Sequence, residues 1–153
     1  MIGEFLVDMR NISKSFFGIK VNNKINFTLR KGEIQALLGE NGAGNTTLMN
    51  MLTGVYFPDE GDTFFKGKKM VLNFPGDALS MGIGMVHQRF SLVGNLTVFE
   101  NLILGHPKNK FIINVAVEKI LIQKYMKQFD FHINLDAIVD ELPIGIRQKG
   151  EIL

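Results

Sequence analysis

The stretch Gly39-Glu40-Asn41-Gly42-Ala43-Gly44-Asn45-Thr46-Thr47 limits what this chain can fold into more than any other. It follows Ile34-Gln35-Ala36-Leu37-Leu38, a mostly apolar run that reads as a buried parallel strand. It leads into Thr46–Thr53, which reads as a helix ended by Gly54. The spacing is that of a phosphate-binding loop, G-x-x-x-x-G-K-[ST], except at one position. Glycines let the backbone turn its N–H groups inward around a polyphosphate, and the start of the next helix adds the positive end of its dipole. The hydroxyl of Thr46 would sit on Mg2+. The lysine is missing, and Asn45 stands in its place. An amide donates hydrogen bonds but brings no charge to the β- and γ-phosphates. A glycine-rich turn that binds nothing would carry the same glycines, so the loop alone leaves both readings open.

The flanking sequence predicts short strands joined by a turn between Glu4 and Leu29, where Ile25 to Leu29 alternates apolar and polar residues. Pro58-Asp59-Glu60-Gly61 reads as a turn, Thr63–Phe65 as a strand and Lys66-Gly67 as another turn. Pro75–Ser80 reads as a short helix and Gly82–Val86 as a second buried strand. Beyond Gln88 the texture turns helical, with a short amphipathic piece at Thr97–Leu104 and a longer helix at Val115–Phe129. On that longer helix Val117, Leu121 and Tyr125 fall on one face. Strands first, then helices with no return to a strand, form an unfinished α/β pattern.

A chain of 153 residues is long enough for one domain with a real core. Its net charge of +2 gives no electrostatic reason to expect nucleic acid as a partner. The absence of cysteine excludes a disulfide framework and thiolate metal sites, and it fits a reducing cytoplasm. Glu4 and Asp8 break up the apolar N-terminus, which does not read as a signal peptide. No apolar run approaches the length that spans a bilayer. The expectation is a protein that is soluble or held at a membrane by a partner. His87, His106 and His132 have no spacing that would give a metal a shared face.

Leu37 to Gly44 followed by Thr46-Thr47-Leu48-Met49 resembles the phosphate loop of ABC ATPases. Phe57 to Gly61 is similar to that family's link into its next strand, and Gly84-Met85-Val86-His87-Gln88 to the strand leading into its Q-loop. Leu96 to Asn101 looks like the start of its helical subdomain, and Leu142 to Lys149 resembles its signature segment. These matches run in order along nearly the whole chain, and their wording is most similar to ATPases of simple-sugar and nucleoside importers. The resemblance implies an α/β fold: a P-loop NTPase, ABC-type nucleotide-binding domain, incomplete, with an antiparallel β portion, a partial parallel core and a helical subdomain. It implies one truncated domain over residues 1–153, with the β portion and phosphate-loop core in 1–88 and the helical subdomain in 89–153.

Carried over residue by residue, the resemblance implies ATP and Mg2+ as ligands. Phe16 would stack on the adenine, although a lone aromatic can equally be core. Gly39, Glu40, Asn41, Gly42, Ala43, Gly44, Asn45, Thr46 and Thr47 would hold the phosphates, and Thr46 with Gln88 the metal. Leu142, Pro143, Ile144, Gly145 and Ile146 would form the signature. Pro143 departs from the family's serine and offers neither hydroxyl nor N–H. The family's acidic pair, at the end of a later strand, has no counterpart before Leu153, so no catalytic residue is assigned. The implied partners are the membrane subunits of an ABC permease and a second ATP-binding domain in a head-to-tail dimer. The implied location is the cytoplasmic face of the membrane, or solution if unassembled. The alternative is an inactive remnant, or a non-hydrolysing regulatory or structural fragment that pairs with an intact ATPase half.

Overall fold

The computed structural model describes residues 5–40, 42–87, 91–104 and 113–153. They fall into two compact units, Met1–Met85 and Val86–Leu153.

In the first unit β1 (Phe5–Phe16) and β2 (Ile19–Arg30) form a long hairpin. The connecting Phe17 and Gly18 have φ of 51° and 81°, the positive values that a tight hairpin with right-handed twist requires. β3 (Glu60–Phe65) pairs with the other edge of β1, and β4 (Lys68–Lys69) with β3, giving the order β2-β1-β3-β4. Every pairing is antiparallel. Val7 and Met9 are buried at period two, but the next buried apolar residue is Ile12. Asn11, at φ 52°, lies where the register slips, and the slip shifts the phase by one residue. Side chains take over there: the Asn11 N–H donates to Asn26 Oδ1 at 2.9 Å, and the Lys24 N–H to Ser13 Oγ at 3.1 Å.

Helix α1 (Asn45–Leu52) buries Leu48, Met51 and Leu52, spaced as one helical face, and these pack with Val7, Met9, Ile12 and Met70. Leucine and methionine side chains buried in this way are each worth about 1.5–3 kcal/mol, so this cluster is what fixes α1 on the sheet. Helix α2 (Pro75–Ser80) starts on a proline, which the first helical turn tolerates, and buries Ala78.

The parallel portion expected at Ile34–Leu38 and Gly82–Val86 is not formed. Neither segment lies in a strand, and residues 31–40 are exposed throughout, with Ile34 at 100% and Leu38 at 89%. An apolar run becomes a strand only when another strand offers it hydrogen bonds. Among the described residues neither run finds one: the sheet holds β2, β1, β3 and β4 alone, and no described segment pairs with either run.

In the second unit α3 (Val98–Ile103) starts with a complete capping box. Thr97 Oγ1 accepts from the Glu100 N–H at 3.2 Å, and Glu100 Oε2 accepts from the Thr97 N–H at 2.7 Å. The next free donors go to a neighbouring loop: Val98 N–H to the Ala137 carbonyl at 3.0 Å and Phe99 N–H to Leu135 at 2.9 Å. Val98, Phe99, Ile133, Leu135 and Val139 make the core beneath. Helix α4 (Val115–Gln128) adds Ile122 and Met126 to it. The expected face of Val117, Leu121 and Tyr125 is instead exposed, at 56%, 43% and 46%. The inward stripe is rotated by one residue, because Ile122 and Met126 lie four apart and point the same way. Helix α5 (Ile144–Ile152) packs on this core through Ile146.

Candidate functional site

The phosphate-loop residues lie where the exposed segment turns into α1. Gly42 and Gly44 have φ of 88° and 89°, left-handed values that glycine adopts without strain. Ala43 N–H closes a turn onto the Glu40 carbonyl at 3.0 Å. Gly44 is tied down from below. A Cβ at that position would lie 2.8 Å from the Val21 carbonyl and 2.8 Å from Asn22 Nδ2. Asn22 is only 3% exposed; its Nδ2 donates to the Gly44 carbonyl at 3.4 Å, and its Oδ1 has no partner among the described residues.

The starts of α3 and α1 differ in kind. α3 has its first-turn donors satisfied by Thr97, Ala137 and Leu135. α1 has Gly44 as its cap, with no side-chain hydrogen bond and no acidic residue in its first turn. Among the described residues, its first N–H groups and positive dipole end are therefore left for an anion. Asn45 folds back over the loop: a Cβ at Gly39 would lie 2.8 Å from Asn45 Nδ2 and 2.9 Å from Ala43 Cβ. Glycine at 39 gives this amide its room. Thr46 is exposed and Thr47 half-buried. Asn41 and Gln88 lie outside the described residues.

Phe16 ends β1 and is half-buried, with its ring edge-on to Tyr56 at 5.2 Å between centroids and 69° between planes. The Lys14 ammonium is 5.6 Å from the centre of the same ring. Lys14 also pairs with Asp59 at 2.7 Å, and the second Asp59 oxygen accepts from the Ser15 N–H at 2.7 Å. The Lys14 hydrogen bond, followed by the Ser15 N–H, holds the Asp59 carboxyl below its ordinary range. Asn22, Tyr56 and Asp59 escape sequence reading. Their only signal is an aromatic just after the α1 stop and a buried-strand position filled by an amide.

The signature residues sit in the second unit. Pro143 is the N-cap of α5 at φ −57°, without a side-chain cap, and its carbonyl accepts from Ile146 and Arg147 at 2.9 and 3.1 Å. Proline thus preserves the helix start and removes the hydroxyl. Arg147 Nε donates to the Leu142 carbonyl at 2.8 Å and so secures the approach to the helix. Leu142 and Ile146 pack inward, Ile144 is 66% exposed, and a Cβ at Gly145 would meet nothing within 4 Å.

A glycine loop of this geometry at the head of α1, on a β sheet, defines a P-loop nucleotide-binding domain as the class of fold. Residues 22–153 match the ABC transporter family, and the chain belongs to it. It is similar to the guanosine import ATP-binding protein NupO of Bacillus subtilis, with 44% identity over 98% of this chain and 30% of that protein. It is also similar to the nucleoside import ATP-binding protein NupA of Lactococcus lactis, with 42% identity over 100% of this chain and 30% of that protein. The chain therefore spans 30% of the length of these curated relatives. Among solved structures it resembles a nucleotide-free ATP-binding cassette of an ABC transporter, with a TM-score of 0.77 and 25% identity. That match covers 96% of this chain and 64% of the other. The fold is accordingly a part of the ABC-type α/β cassette, with its antiparallel sheet formed and its parallel strands unpaired.

Proposed function

We propose that this chain is part of the ATP-binding subunit of an importer for nucleosides or simple sugars. The observation that carries this reading is the uncapped, acid-free start of α1 behind the Gly42–Gly44 turn. The names of the NupO and NupA relatives support the choice of nucleosides. In this reading the N–H groups at the end of the loop and in the first turn of α1 hold the polyphosphate, and Phe16 stacks on the adenine. Thr46 offers one hydroxyl oxygen, and the described residues hold no group of three His, Cys, Asp or Glu. That donor set suits an ion that brings phosphate ligands with it, as Mg2+ does. Mg2+ bound with the nucleotide would supply charge neutralisation at its β- and γ-phosphates. Gln88 would be the second protein oxygen. The partners are permease membrane subunits and a second ATP-binding domain, reached at the cytoplasmic face of the membrane. No described helix is long and apolar enough to cross a bilayer, so attachment would run through the permease.

A calorimetric titration with MgATP tests the site. Asn45→Lys places a charge beside the phosphates, and charge-assisted hydrogen bonds of this kind are worth about 1.5–3 kcal/mol, roughly a ten- to hundredfold gain in affinity. A variant that binds no tighter than the parent would sink the reading of Gly39–Thr47 as a phosphate cradle. Asn45 and Pro143 also favour a second reading, a non-hydrolysing half that binds nucleotide and pairs with an intact partner domain. Phosphate release by the chain alone, above a protein-free control, would count against that one.

A further inference from the structure

Phe16 is braced by a strap that leaves α1. Where the helix ends, the Asn50 carbonyl accepts two N–H groups, from Val55 at 2.9 Å and from Tyr56 at 3.1 Å. Tyr56 therefore hangs from the same helix that the phosphate loop begins. Its ring meets Phe16 edge-on, the geometry favoured by the aromatic quadrupole. Three residues later Asp59 fastens the strap to β1 through both carboxylate oxygens and through its own N–H, which donates to the Ser13 carbonyl at 2.9 Å. The next aromatic along, Phe17, is fully exposed at the hairpin tip. Of two adjacent phenylalanines, one is held and one is not.

A half-exposed aromatic at a strand end has several rotamers open to it, and binding to a flat base selects one. Ordering a side chain at the moment of binding weakens affinity, and ordering it beforehand removes that cost. We propose that Tyr56 is a positioning residue for base recognition: it fixes the Phe16 ring and, through the Asn50 carbonyl, ties that ring to the helix behind the phosphate loop. This rests on the reading of Phe16 as the base-stacking aromatic.

The experiment compares MgATP with inorganic tripolyphosphate, which has the phosphates and no base, by calorimetry on the chain. Tyr56→Ala should weaken MgATP binding by about two- to tenfold, the worth of one edge-to-face pair. Tripolyphosphate binding should not change, and Tyr56→Phe, which keeps the ring, should behave as the parent. In a Phe16→Ala background Tyr56→Ala should have no further effect. Equal weakening of both ligands, or an undiminished effect without Phe16, would overturn the proposal. A second measurement needs no ligand. The Phe16 ring protons should show a ring-current shift by NMR that Tyr56→Ala abolishes, and no shift in the parent would overturn the bracing whether or not nucleotide binds. If Phe16→Ala leaves MgATP affinity unchanged while that shift is present, the base-stacking reading fails and takes the recognition role of Tyr56 with it.

Discussion

Asp59 gives the acid behaviour of the strap a definite sign. Its carboxyl is held below its ordinary value of 3.8 by Lys14 first and the Ser15 N–H second. A group whose folded pKa is depressed adds stability that is present above the unfolded value and is lost as pH falls through the folded one. The parent should therefore lead Asp59→Asn in stability near neutrality, and the lead should shrink from about pH 4 downward. Chemical denaturation at a series of pH values measures this, and a lead that is flat with pH would mean the carboxylate is not what fastens the strap. At the same scale, the glycine turn ahead of α1 is legible because its glycines carry a local meaning: Gly42 and Gly44 take the left-handed conformation their spacing implies. Lys14 and Asp59 are 45 residues apart, so no window along the chain connects them. Asn45 is legible as a missing charge, but its fold-back onto Gly39 depends on how the loop turns between them, which no local pattern encodes.

Helices were legible as elements and less so as faces. α1 was expected at Thr46–Thr53 and runs Asn45–Leu52, with Gly54 at φ 75° behind it. α2 keeps its expected bounds, and α3 lies inside the expected piece, where Thr97 and Glu100 supply both ends of the cap. α4 carries apolar residues nearly all round, so periodicity alone cannot choose which stripe turns inward. The core chooses Ile122 and Met126. Ile122→Ala should cost about 2–4 kcal/mol through lost burial and the cavity left behind, while Leu121→Ala should cost under about 1 kcal/mol. Urea unfolding of the two variants separates them. Equal losses would restore the stripe of Val117, Leu121 and Tyr125 as the packed face.

At the scale of the whole chain, the sequence pattern identifies which runs are apolar enough to be buried, and among the described residues two of them have no strand to pair with. β1 is bonded on both sides along much of its length, whereas Ile34–Leu38 and Ile83–Val86 lie in no strand. Amides that lack a hydrogen-bonded partner exchange with solvent at rates set by local opening, close to those of an unfolded chain. Hydrogen exchange should accordingly be slow at Val7, Met9 and Ile12 and fast across Ile34–Leu38 and Gly84–Val86, whereas Ile83, whose N–H donates to the Ala78 carbonyl at 3.0 Å, should be slower than its neighbours. Ile34 and Leu38 are exposed apolar side chains on a segment that lies in no strand, which is the pattern that templates association between chains. The paired substitution Ile34→Lys with Leu38→Lys should then leave the unfolding free energy within about 1 kcal/mol of the parent, since neither side chain contributes to the core. It should also lower self-association in sedimentation at the same protein concentration. Slow exchange at Ile34–Leu38 together with a loss of several kcal/mol in the double variant would show that this segment is a buried strand after all, with its partner inside the same chain.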